Sequence, residues 1–209
     1  MPVQKNIFRE IPVVFAAINL EELTTELIRK SIHFLIALCP VMAAVNRPFT
    51  IALLVTGVMV YTCLERLRLG GQFVPFVSFL TLMASRPRDR NRFVLGPVTL
   101  GLGALLALLF YPSPAASIAV YALAFGDGFA SLAGKFFGRI RPPFLLGKSV
   151  EGSFACFAAV FIAAYRVSGR ITAAVFAGLV AALTEALPLE DYDNLVLPLT
   201  VGFMVQFVL

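Results

Sequence analysis

The stretch that organises this chain is AASIAVYALAFGDGFASLAGKFFGR, residues 115–139. As far as Ala133 the stretch is largely apolar, which is typical of a membrane-spanning helix. Asp127 lies inside this run, between two glycines. An ionisable side chain within a membrane span is costly, so it indicates a functional site. The sequence therefore predicts a functional site around Asp127 in one membrane-spanning helix.

Basic residues follow this carboxylate closely: Lys135, Arg139, Arg141 and Lys148. A carboxylate can hold a metal ion, glycines let backbone N–H groups approach a ligand, and cations neutralise phosphate oxygens. The combination suits a metal-bound polyphosphate. Asp127, Ser131 and Lys135 are spaced at i, i+4 and i+8, so we expect them to share one helix face.

The composition is that of a membrane protein. Hydrophobic residues make up 59% of the 209 residues and charged residues only 14%, and the mean hydropathy is +0.89. These values predict one membrane-embedded domain over residues 1–209 and exclude a soluble one. The net charge of +5 lies in short loops between apolar runs. Orientation in a membrane explains it better than binding to nucleic acid.

The apolar runs predict an all-α integral membrane bundle of about seven transmembrane helices. The first span ends near Asn46, and the others cover residues 48–64, 93–111, 115–133, 152–165 and 171–187, and 195 to the C-terminus. Residues 1–22 are interpreted as an interfacial helix, since their apolar patch is short and contains Pro12. The apolar residues 73–84 form only about three helical turns, so we expect them at the interface too.

Seven spans determine the side of the membrane on which each loop lies. With the N-terminus in the cytoplasm, all but three of the 17 Lys and Arg residues lie inside; the three are Arg47, Arg166 and Arg170. This agrees with the positive-inside rule. All 12 acidic residues also fall on the cytoplasmic side or within its membrane boundary. The sequence therefore predicts a multi-pass protein with its active site on the cytoplasmic face.

A second motif, GKSVEGS, occupies residues 147–153. It resembles a phosphate-binding loop at a helix start, where unpaired N–H groups favour anions. It is not a Walker A motif, because the upstream glycine and the preceding strand are missing. Ser149 or Ser153 could equally act as the helix cap, and the cap and phosphate roles are compatible.

Three further clusters are candidates. Glu185 and the segment EDYDN, residues 190–194, form an acidic patch that is either a solvated loop or part of a metal site. The four residues of the N-terminal cluster, at i, i+3, i+4 and i+7, share one helix face; they are Glu26, Arg29, Lys30 and His33. This cluster is either functional or a snorkelling basic helix start. Glu65 and Arg66 mark either an ordinary helix end or an inward Glu65 that orients an arginine.

Together these motifs resemble the CTP-dependent polyprenol kinases, which include dolichol kinase, phytol kinase and a CTP-dependent diacylglycerol kinase and are distantly related to phosphatidate cytidylyltransferase. The matching residues occur in the family's order over most of the chain: Glu26, Arg29, Lys30, His33, Glu65, Arg66, the Arg86 to Arg92 cluster, Gly126, Asp127, Gly128, Ala130, Gly134, Gly138, Lys148, Ser149, Glu151, Gly152, Ser153, Glu185, Asp193 and Asn194. The resemblance implies a membrane enzyme that uses CTP and a divalent cation, such as Mg²⁺, to phosphorylate a lipid alcohol. It implies that the motifs around Asp127 and Lys148 bind the nucleotide.

This resemblance leads to an expected mechanism. Asp127 would hold Mg²⁺, with Asp193 and Asn194 as further ligands, because oxygen ligands favour this ion. Nucleotide contacts would come from Gly126, Gly128, Lys135, Arg139, Lys148, Ser149, Gly152 and Ser153. The supporting residues would be Glu26, Arg29, Lys30, Glu65, Arg66 and Glu185. The catalytic base is left open among Glu151, His33 and Asp127. The lipid alcohol would enter laterally from the bilayer.

Two alternatives belong to other functional classes. In a small transporter or channel, Asp127 would relay ions or protons; the predicted outer loops, with three arginines and no acid, argue against this. In a phosphatidate cytidylyltransferase, the reaction would release pyrophosphate rather than CDP. The signature of that family, with a Lys-Arg pair and a terminal Asp-Arg-x-Asp, is absent from the sequence.

Overall fold

A computed structural model describes residues 20–72, 75, 92–145 and 147–209. These residues form helices joined by short turns, with no strand among them. The α-helices are α1 (Leu20–Leu35), α2 (Leu38–Leu69), α3 (Gly96–Phe110), α4 (Ala115–Tyr121), α5 (Gly128–Phe136), α6 (Val150–Ser168), α7 (Ile171–Glu185) and α8 (Asp193–Val205). A π-helix, Ala122–Asp127, joins α4 to α5, and short 3-10 helices cover Pro143–Leu145 and Glu190–Tyr192.

The helix α2 is broken at Asn46, where the sequence predicts the end of the first span. Asn46 has the non-helical angles φ −150° and ψ 93°, and Pro48 follows. The side chain of Asn46 accepts a hydrogen bond of 3.0 Å from the N–H of Phe49, as at a helix start. Proline is tolerated at this position because the first N–H groups of a helix have no helical partner.

Contacts on either side of Asn46 show that the chain reverses its direction there. Before the break, His33 lies beside Leu123. Immediately after it, the Arg47 guanidinium donates to the carbonyl of Leu108. Farther along, the hydroxyl of Tyr61 donates to the carbonyl of Val94 at 3.2 Å. The second limb of α2 therefore runs antiparallel to α3.

The helical stretch Ala115–Phe136 lies at the centre of the bundle. In its most apolar window 67% of residues are buried, against 17% for Thr24–Leu69 and 22% for Val150–Ser168. The predicted span 115–133 thus lies within one helical stretch, which contains a π-helical segment that ends at Asp127. Turns of this kind are rare and frequently lie at functional sites.

Three helical stretches, Thr24–Leu69, Ala115–Phe136 and Val150–Ser168, are long and apolar enough to cross a membrane. The apolar helices α3, α7 and α8 have only 15, 15 and 13 residues. The all-helical membrane fold is therefore confirmed, while the count of seven spans stays a prediction. Residues 1–19, residues 76–84 and the arginines of the 86–92 cluster before Arg92 lie outside the described residues.

Orientation in the membrane can be checked by cysteine labelling. We expect Ser113→Cys, in a variant without the three native cysteines, to react with an impermeant maleimide from outside the cell. We expect Ile140→Cys, at the other end of the central helix, to react only after permeabilisation, because the loop that holds it is basic. The reverse pattern would place the basic end of the bundle outside.

Close packing of α3 against α8 predicts a stability effect at Gly103. A Cβ added there would lie 2.0 Å from the carbonyl oxygen of Asn194. We expect Gly103→Ala to lower the free energy of unfolding by about 1–3 kcal/mol, because one helix must move. The control is Gly57→Ala on α2, where an added Cβ meets nothing within 4 Å and the helix gains up to about 1 kcal/mol. Thermal unfolding in detergent is measured for both variants. Equal changes in unfolding temperature for Gly103→Ala and Gly57→Ala would contradict the packing argument.

Candidate active site

A polar cleft opens at one end of the bundle. It lies between the middle of α1, the end of the π-helix, α5, the start of α6, the end of α7 and the start of α8. Its volume is about 180 Å³, and it is lined by Arg29, Asp127, Ala130, Ser131, Gly134, Lys135, Arg141, Gly147, Lys148, Ser149, Gly152, Glu185 and Asp193. Residues that are distant in sequence, and mostly charged or glycine, therefore meet at one place.

Asp127 lies at the inner end of this cleft, and its carboxylate contacts two side chains of α1, Lys30 and His33. The Lys30 ammonium is 2.5 Å from Oδ2 of Asp127, and Nε2 of His33 is 3.2 Å from the same oxygen. Nε2 of His33 is also 2.7 Å from the carbonyl oxygen of Leu123. Because a carbonyl oxygen only accepts, Nε2 carries the proton and donates to Leu123. That nitrogen is therefore not placed to act as a base.

Glu26 connects α1 to α5 at the outer end of the cleft. Its Oε1 accepts hydrogen bonds of 2.5 Å from Arg29 and 2.5 Å from Ser131, and its Oε2 is 3.3 Å from the Lys135 ammonium. Glu26 and Lys30 are each only 2% exposed. The α1 cluster and the α5 residues Ser131 and Lys135 thus face each other in the structure.

The GKSVEGS motif forms the start of α6. Oγ of Ser149 accepts a 3.1 Å hydrogen bond from the N–H of Gly152, so Ser149 is the helix cap. The N–H of Val150 donates to the carbonyl of Ile140 at 3.0 Å. The N–H groups of Gly152 and Val150 are thus occupied within the protein.

Lys148 reaches from this motif to the end of α7. Its ammonium is 3.1 Å from Oε1 of Glu185 and also donates to the backbone carbonyl of Glu185. Oγ of Ser153 donates to Oε2 of Glu185 at 3.5 Å. The predicted supporting residue Glu185 therefore orients the predicted phosphate-binding lysine.

Several predicted residues lie away from the cleft. Arg139 is exposed, and its N–H donates to the Glu151 carboxylate at 3.0 Å. That carboxylate also accepts from the N–H of Ile140 at 3.1 Å, so Glu151 holds the loop backbone. The amide nitrogen of Asn194 donates to Oγ1 of Thr99 at 3.1 Å and joins α8 to α3.

The two glycines beside Asp127 have a packing role in the structure. An added Cβ would lie 2.9 Å from the side chain of Val160 at Gly126, and 2.4 Å from that of Phe34 at Gly128. Neither glycine lines the cleft. They let α6 and α1 approach the central helix, and this approach brings Lys30 and His33 to Asp127.

Glu65 forms a separate structural cluster. It is fully buried, and both its oxygens accept hydrogen bonds from Arg68, at 2.8 and 2.7 Å. It also accepts a 3.0 Å bond from the N–H of Val94. The inward orientation of Glu65 agrees with the sequence-based alternative, but the arginine that it orients is Arg68, and Arg66 is exposed.

The carboxylate of Asp193 is available for a ligand. It lines the cleft with Asp127, and among the described residues its one hydrogen bond is from the N–H of Asn194 at 2.8 Å. Within the described ranges no cation lies at ion-pair distance from it. Two carboxylates that share a cleft with cations fit Mg²⁺, which typically takes one or two carboxylates and completes its shell with phosphates and water. The same ranges contain no group of three or more acidic, His or Cys side chains suited to a metal.

Comparison with known proteins supports the sequence-based resemblance. Residues of this chain are 32% identical over 133 positions to the chloroplastic farnesol kinase of Arabidopsis thaliana. The resemblance to the polyprenol kinases is confirmed. The matched part covers 56% of this chain and 43% of the farnesol kinase, so the chain spans less than half of the curated relative. No family model and no solved structure matches the chain.

Proposed function

We propose that this chain is a membrane kinase that transfers the terminal phosphate of a nucleoside triphosphate to the hydroxyl of a lipid alcohol. The nucleotide is CTP by the family resemblance. The observation that carries the proposal is the cleft, in which two carboxylates, Asp127 and Asp193, face several cations at one end of an apolar bundle. A nucleotide from the aqueous side and a lipid from the bilayer can both reach such a site.

Phosphoryl transfer depends mainly on positioning and on charge neutralisation. Lys135 and Lys148 line the cleft, and Arg29 lies beside them. Their ammonium and guanidinium groups would bind the phosphate oxygens. Each is already held by a carboxylate, Glu26 or Glu185, so the cations are oriented before the nucleotide arrives.

Asp127 and Asp193 would hold Mg²⁺, which when bound neutralises the charge that develops on the phosphate oxygens. Asn194 is left out of this set because it does not line the cleft, and its amide nitrogen joins α8 to α3. Of the three candidate bases, only Asp127 lines the cleft. We therefore assign to Asp127 the uptake of the proton from the lipid hydroxyl as well.

The decisive experiment identifies the products of the purified protein. The protein would be incubated with Mg²⁺, each of CTP, ATP, GTP and UTP, and a lipid panel of farnesol, phytol, a long polyprenol, diacylglycerol and phosphatidate. Mass spectrometry showing a lipid monophosphate together with a nucleoside diphosphate would support the proposal. Pyrophosphate with a nucleotide-linked lipid would instead identify a cytidylyltransferase. Absence of any phosphorylated lipid would overturn the proposal.

A further inference from the structure

The loop between α5 and α6 is held tightly against the cleft. At Gly138 an added Cβ would lie 2.2 Å from the carbonyl oxygen of Gly134 and 2.8 Å from Oγ of Ser149. The Glu151 carboxylate accepts hydrogen bonds from the two N–H groups at Arg139 and Ile140. The backbone immediately before Arg141 is thus fixed in two ways. Gly138 packs closely against Gly134 and Ser149, and the Glu151 carboxylate accepts hydrogen bonds from the next two N–H groups.

Arg141, the next residue of this loop, extends over the cleft. Its Nη2 donates to the carbonyl of Gly134 at 2.7 Å and its Nη1 donates to the carbonyl of Gly147 at 2.5 Å. Gly134 lies in the last turns of α5, where the helix dipole favours a cation. Gly147 has φ +96°, a conformation that glycine adopts readily. The guanidinium is therefore anchored between two backbone segments.

Arg141 differs from the other cations of the cleft in its hydrogen-bond and ion-pair partners. Arg29 and Lys135 lie at ion-pair distance from Glu26, and Lys148 from Glu185. In the part of the chain that the structure describes, no carboxylate lies at that distance from Arg141. Its two partners are neutral carbonyls, and a guanidinium has five N–H donors and remains charged. Among the described residues, Arg141 thus has no carboxylate at contact distance, and it keeps spare donors at the cleft wall.

We propose that Arg141 binds the phosphate chain of the nucleotide, as a preorganised guanidinium that the loop fixes before the ligand arrives. The nature of the ligand rests on the proposed function, whereas the anion site itself rests on the geometry of Arg141. Arginine suits this role because its planar fork binds two phosphate oxygens at once. Arg139, which the sequence favours, is two residues away on the same loop, and its side chain does not line the cleft.

The test is equilibrium binding of tripolyphosphate, CTP and cytidine to the purified protein in detergent. We expect Arg141→Gln to weaken tripolyphosphate and CTP binding by about tenfold to a hundredfold, the value of a charge-assisted hydrogen bond. Cytidine carries no phosphate, so we expect its affinity to stay unchanged. Arg139→Gln is the matched control and should bind all three ligands like the wild type.

A second variant keeps the test decisive if Arg141→Gln does not fold. Arg141→Lys retains the charge but loses the fork, so we expect a severalfold loss of tripolyphosphate affinity. Wild-type affinity for tripolyphosphate in a folded Arg141→Gln or Arg141→Lys protein would overturn the inference, even if lipid phosphorylation is observed. Conversely, Arg141-dependent tripolyphosphate binding by a wild-type protein that phosphorylates no lipid would keep the inference and reject the proposed function.

Discussion

Replacing Asp127 by Asn is expected to reduce Mg²⁺-dependent lipid phosphorylation by about a hundredfold or more. The neutral amide can neither offset the charge of the metal ion nor take up the proton of the lipid hydroxyl. The same change removes the partner of the Lys30 ammonium, which is 2.5 Å away and 2% exposed. A charge left buried without its partner typically costs about 3–5 kcal/mol, so we also expect a lower unfolding temperature.

A double-mutant cycle separates these two effects. Lys30→Met combined with Asp127→Asn removes both charges, so we expect most of the lost stability to return. Activity should not return, because the carboxylate is still missing. Thermal unfolding in detergent and the phosphorylation assay are measured on the wild type, both single variants and the double variant. A double variant that regains both stability and activity would mean that Asp127 serves only as an ion-pair partner.

The second large effect is expected at Gly138. Gly138→Ala would bring a Cβ to 2.2 Å from the carbonyl oxygen of Gly134, an atom that also accepts from Arg141. The backbone at residue 138 must then move away from the Gly134 carbonyl. This shifts the loop, and Arg141 loses its hydrogen bond to that carbonyl. We expect kcat/KM to fall by about a hundredfold, since small misplacements of positioning groups have effects of this size. The loss of stability should be no more than about 1–3 kcal/mol.

The matched control for this variant is Gly96→Ala at the start of α3. An added Cβ there meets nothing within 4 Å. We expect near-normal activity from this control, with an unchanged unfolding temperature. Near-normal activity in a folded Gly138→Ala protein would show that the position of this loop does not matter for turnover.

The membrane fold follows from patterns that act locally. Long apolar runs with few charges predict helices, and Asn46 with Pro48 predicts the reversal between the first two spans, because proline and an asparagine cap mark a helix start. The i, i+3 and i+4 spacing predicts that each of the clusters on α1 and α5 shares one helix face, but not that the two faces meet. What each glycine contacts does not follow from such patterns. The sequence predicts that Gly126 and Gly128 contact the nucleotide. In the structure their neighbours are Val160 and Phe34, which come from distant segments.

The sequence by itself determined that this is a helical membrane protein and that Asp127, Lys135 and Lys148 belong to one polar site, because an ionisable group in an apolar helix requires charged partners or a ligand. Only the tertiary structure decided which charged side chains pair with each other and which of them reach the cleft. It pairs Lys30 with Asp127, places Glu151 on the loop backbone, and brings Arg141 rather than Arg139 to the cleft. Neighbouring loop residues have the same charge, and their roles differ only because the folded backbone directs one side chain inward and the other outward.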